Sequence, residues 1–156
     1  MYGLALTLHS WIRWFVLLMG LVAVLRALAG WFGRRRWEAA DDQAGLLFTI
    51  SMDVQMLVGL LLYFVLSPFT TVALRSMGTA MREPALRFWA VEHVTLMLIA
   101  LVLAHVGRVR VRGVSDPRTK HFRAMLFFGL ALIAVLMAIP WPGMANGRPL
   151  LRFGLE

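Results

Sequence analysis

Inside the first apolar stretch, LHSWIRW sets His9 and Arg13 four residues apart. On a helix that spacing stacks both side chains on one face, and Val16 and Gly20 continue the face inward. Ionisable groups inside a lipid-soluble segment are costly, so they mark either a functional site or interior pairing. The remaining members of this class are Asp53, Glu92, His93 and His105, with Gln55 as a neutral companion. Imidazoles ligate metals and relay protons, whereas a carboxylate in hydrocarbon demands a cation. Asp53 and Glu92 are the carboxylates inside apolar runs, and Arg13 is the cation expected to pair with either.

Depth sharpens this. Counting from Leu4 at about 1.5 Å per residue, His9 lies roughly 7 Å and Arg13 roughly 13 Å into the first span. The third apolar run descends from the same side, beginning near Leu86, and places Glu92 and His93 roughly 10 Å deep. His9 and His93 therefore share a level on two different helices. Two readings stay open. In one, the two imidazoles ligate the iron of a b-type haem, with Arg13 against a propionate. In the other, the histidines hydrogen-bond to Glu92, Gln55 or backbone carbonyls and hold the bundle together. His105 and His121 form a second conceivable pair near the opposite face, but the twelve residues from His93 to His105 turn about 120° around a helix. That rotation argues against two haems along one seam. Arg26 and His121 lie near enough to that face to snorkel.

On the second run, Gln55, Gly59 and Tyr63 recur at i, i+4 and i+8, a pattern that suits close helix contact or space for a flat cofactor. The ten methionines occupy mostly apolar positions and read as core filling. There is no nucleophile with an adjacent base, no glycine-rich phosphate loop and no zinc-ligand spacing, so hydrolysis is not expected. With no cysteine, thiolate metal sites, iron–sulfur clusters and covalent haem attachment are excluded. Proton movement among Asp53, Glu92 and His93 stays open.

The elements that must position these residues follow from hydropathy. Of 156 residues, 60% are hydrophobic, and the mean hydropathy is +0.75, far above a soluble domain. Four apolar runs, about 4–30, 44–66, 86–106 and 117–139, approach the ~20 residues needed to cross a bilayer. The expected fold is all-α: a single four-transmembrane-helix bundle over residues 1–156. The first run is too long for a secretory signal and is expected to remain as a span. Asp41 and Asp42 are placed to cap the second helix, and Ser115 or Asp116 with Pro117 to start the fourth. The connection from Ser67 to Arg87 is long enough for a short interfacial helix. The net charge of +8 belongs to loops flanking the spans rather than to a nucleic-acid surface. Arg34–Arg36 with Arg108, Arg110, Arg112, Arg118, Lys120 and Arg123 outnumber Arg75, Arg82, Arg87, Arg148 and Arg152 on the other side. The richer side is expected to face the cytoplasm, leaving both termini outside.

The stretches LHSWIRW, DVQMLVGLLLYF, RFWAVEHVTLMLIA and IPWP together resemble small bacterial four-helix integral membrane proteins labelled cytochrome b-like. The resemblance spans most of the chain. It implies four spans and a polar cluster of His9, Arg13, Gln55, Glu92 and His93. The chain is also broadly similar to four-helix cytochrome b electron carriers, although its second span offers Asp53 where a histidine ligand would be sought. The expectation is a multi-pass protein of the bacterial cytoplasmic membrane that binds haem b through His9 and His93. Electron exchange with a quinone or a redox protein would follow, in a monomer or a homo-oligomer. The alternatives are a haem-free accessory or scaffold protein and a proton-linked carrier of a small anion around Arg13.

Overall fold

The structure is a computed structural model and describes residues 1–153. Helix α1 covers Tyr2–Phe32, and α2 covers Ala39–Leu61 and runs on through a widened turn, Leu62–Leu66. Three short helices follow: α3 at Pro68–Arg75, α4 at Met77–Arg82 and α5 at Pro84–Arg87. A second widened turn, Phe88–Glu92, leads into α6 at His93–Arg112, and α7 covers Pro117–Ala138. Four helical stretches are long and apolar enough to cross a membrane: Tyr2–Phe32, Ala39–Leu66, Pro84–Arg112 and Pro117–Ala138. The described chain is thus an all-helical four-helix bundle without strands. The single interfacial helix expected between Ser67 and Arg87 is instead three short ones.

Small residues let the helices approach. Ala23 and Ala27 of α1, Ala100 and Ala104 of α6, and Ala124, Ala131 and Ala138 of α7 are all buried. Lipid tails give no hydrophobic drive for helices to associate, so close backbone contact and dispersion must supply it. Phe48 and Phe128 fill the centre edge to face at 5.8 Å between ring centres. Gly20 makes room for the first and Gly45 for the second: a Cβ at either would stand 2.9 Å from the ring it faces. α1 packs along both α2 and α7, α6 packs mainly on α7, and α2 meets α6 along a narrower seam.

Ion pairs stitch the arginine-rich end. Arg108 of α6 grips Asp42 of α2 with Nη1 and Nη2 at 3.1 and 3.0 Å from the two carboxylate oxygens. Arg26 does not simply snorkel; its Nε donates to Asp41 at 2.8 Å. The cap of α2 also differs from expectation, because the helix begins at Ala39 and Glu38 occupies the cap position. Asp41 then sits in the first turn and reaches back to accept from the Glu38 backbone N–H at 2.9 Å. Asp116 caps α7 as expected, accepting from the Thr119 backbone N–H at 2.8 Å, with Pro117 in the first turn. His121 is fully buried against the Trp37 ring rather than reaching for the interface, and Gly30 leaves the space its imidazole fills.

Candidate functional site

The face carrying His9, Arg13, Val16 and Gly20 does turn into the bundle: Val16 is 1% exposed and Gly20 is buried. His9 on α1 and His93 at the start of α6 lie with ring centres 6.3 Å apart and planes inclined by 65°. The widened turn before α6 helps aim His93. Its first residue, Phe88, accepts the His93 backbone N–H across five residues, and the Tyr63 hydroxyl, from the other widened turn, donates to the Ala90 carbonyl at 2.8 Å. Such turns shift side-chain register locally and recur at functional sites.

The two imidazoles have different partners. His93 Nδ1 is 2.8 Å from the Ala138 carbonyl of α7. A carbonyl only accepts, so Nδ1 carries the proton and Nε2 keeps its lone pair. His9 Nε2 faces the Gln55 side-chain nitrogen at 3.2 Å, and that nitrogen also donates to the His9 carbonyl at 3.1 Å. The His9 Nδ1 atom is buried without a hydrogen-bond partner among the described residues, as is the Gln55 Oε1. Gly59 lies beside this ring, where a Cβ would stand 3.2 Å from His9 Cε1.

His9, Arg13, Gln55 and His93 line one cavity of about 60 Å³, and three of them, His9, Gln55 and His93, also line a neighbouring one of about 80 Å³. Glu92 lines neither. Its carboxylate turns outward, 43% exposed, and accepts from Arg87 Nε at 2.7 Å. The widened turn explains the pairing, since residues five apart come together where the helix has more residues per turn. Nor does Arg13 pair with a carboxylate among the described residues: Nη2 donates to the Leu150 carbonyl at 2.7 Å and to Ser10 Oγ at 3.3 Å. Asp53 meets His105 instead, 3.4 Å from its Nε2.

The sequence reading missed the C-terminal segment's part in the site. After α7, Gly143 takes φ +91°, and Gly147 packs where a Cβ would be 2.6 Å from the Trp141 carbonyl. These two glycines fold the chain back over the cavity. Trp14 donates to the Leu150 carbonyl at 2.9 Å and Trp11 to the Arg152 carbonyl at 3.0 Å. Arg148 and Arg152 join Arg13 in lining the first cavity, and the Arg148 guanidinium lies 4.5 Å from the centre of the Trp89 ring. The signal was present in GRPLLRF, whose arginines counted only toward orientation. No known protein family, curated protein or solved structure matches this chain.

Proposed function

We propose that this chain is a membrane electron-transfer protein that holds a b-type haem between α1 and α6 through His9 and His93. Its expected setting is the bacterial cytoplasmic membrane, with a quinone or a redox protein as partner. The observation that carries the reading is the 6.3 Å separation of two imidazoles from different helices inside the bundle. Two metal–nitrogen bonds of about 2 Å with an imidazole radius at each end span about 6 Å.

The donor set suits the group. Through Nδ1, His93 donates to Ala138, the hydrogen bond that fixes the tautomer of a metal-bound imidazole and raises its basicity. Arg13, which lines the same cavity as both histidines, would pair with a propionate. When bound, haem supplies one-electron chemistry at an iron whose potential follows from its ligands and surroundings. Neither cavity, at about 60 and 80 Å³, can hold a porphyrin in this conformation. Loading would require Gln55 to release His9.

That same glutamine favours a second reading. Bonded to both the His9 ring and its carbonyl, Gln55 ties α1 to α2, while His93 ties α6 to α7. These contacts serve a haem-free scaffold equally well. An absorption spectrum of protein purified from haem-replete cells, before and after dithionite, separates the two. A Soret band of a paired-histidine haem, abolished in both His9→Ala and His93→Ala, is the expected result. Colourless wild-type protein overturns the haem reading and leaves the scaffold.

A further inference from the structure

We propose that Arg13, Arg148 and Arg152 form an anion site at the end of the cavity covered by the C-terminal segment, suited to a small carboxylate or phosphate-type oxyanion. All three arginines line the same cavity, and among the described residues no Asp or Glu does. By contrast, three other arginines packed on the bundle, Arg26, Arg87 and Arg108, each have a carboxylate partner. Concentrating three cations that have no carboxylate partner among the described residues, in a cavity that also holds two histidines, is electrostatically expensive unless an anion joins them.

Hydrogen bonding points the same way. The Nε atoms of Arg13 and Arg152 are both buried and lack an acceptor among the described residues. The Arg148 guanidinium sits 4.5 Å from the Trp89 ring centre and 5.6 Å from that of Phe69, contacts that position a cation without using its N–H donors. What the lining lacks, among the described residues, is an anionic acceptor. Water accepts hydrogen bonds but neutralises no charge, whereas a carboxylate or phosphate does both and matches the planar guanidinium fork. A volume of about 60 Å³ restricts the occupant to a group of a few heavy atoms unless the segment lifts.

Three sources present this chemistry: a free small oxyanion, the carboxylate of a larger ligand held at His9 and His93, and a lipid phosphate. The site does not depend on haem, so the test uses haem-free protein. The full chain is placed in nanodiscs of zwitterionic lipid, and its melting temperature is followed against inorganic phosphate or succinate, with chloride matching ionic strength. Binding to the native state alone raises the melting temperature in a saturable way. The expected result is such a rise, with affinity at least tenfold weaker in the Arg148→Gln/Arg152→Gln variant and unchanged in Arg34→Gln/Arg36→Gln at the opposite end. A rise seen only in nanodiscs containing phosphatidylglycerol, and lost in the same variant, assigns the site to a lipid headgroup. A rise seen only on adding haem to wild-type protein, and reduced in the same variant, assigns it to a propionate. Should the double variant fail to fold, Arg148→Lys carries the test, since it keeps the charge, loses the fork and should bind several-fold more weakly. No anion-dependent rise under any of these conditions, or one undiminished by the variants, overturns the proposal.

Discussion

Asp53, midway along its span, meets His105, in the last third of its own, on the outer surface of the bundle, 43% and 49% exposed. His105 Nδ1 lies 3.1 Å from the Leu101 carbonyl and donates to it, which leaves Nε2 facing the Asp53 carboxylate. Removing one partner strands the other: His105→Leu should destabilise the protein, an Asp without its partner at a helix centre costing about 2.5–3.5 kcal/mol. Asp53→Leu/His105→Leu removes both and should restore or exceed wild-type thermal stability in nanodiscs. A double variant as unstable as His105→Leu would show that the pair contributes more than mutual neutralisation. Part of this arrangement was legible from residue spacing. Two steps along a helix turn about 200°, so with Gln55 facing inward Asp53 had to face outward, and Glu92 is similarly turned away by one step from His93. Pairing Arg13 with either carboxylate weighed depth but not rotation. The acceptor it does use, the Leu150 carbonyl, is a backbone atom and leaves no mark in residue type.

At the scale of elements, start signals written in side chains were readable where a single residue type decides. SDPRT announces α7, and Asp116 performs the expected cap. The Thr119 hydroxyl, then its backbone N–H, hold the Asp116 carboxyl below the ordinary carboxylate range. The sign of the linkage follows: a depressed pKa contributes stability that is complete above the unfolded value and is lost as pH falls through the folded one. Amide protection at Thr119 and Lys120, corrected for intrinsic exchange, should persist as pH drops to about 4 and decline only in stronger acid. In Asp116→Ala it should be low throughout. Protection lost already near neutral pH would remove the cap from the account of α7. The widened turns at Leu62–Leu66 and Phe88–Glu92 were not legible. Hydrogen bonds across five residues follow from packing between segments, here the Tyr63 contact with Ala90, and have no fixed sequence signature.

For the molecule as a whole, hydropathy made four crossings visible, because a bilayer imposes length and apolarity on every span. Which end faces which compartment depends on a second field, the charge of the flanking loops. Arg34–Arg36 and the cluster from Arg108 to Arg123 gather at one end, while the cavity, Arg148 and Arg152 lie at the other. With the basic end proposed as cytoplasmic, the anion site and the pair His9–His93 open toward the outside. The absence of cysteine makes this directly measurable. Ser115 is exposed between α6 and α7 at the basic end, and Gly78 sits in α4 at the other with open space where a side chain would go. In intact cells, a membrane-impermeant maleimide should label Gly78→Cys and spare Ser115→Cys until the membrane is permeabilised. The converse pattern would turn the bundle over, making the arginine-lined cavity a site for cytoplasmic anions and reversing the side from which any redox partner approaches His9 and His93.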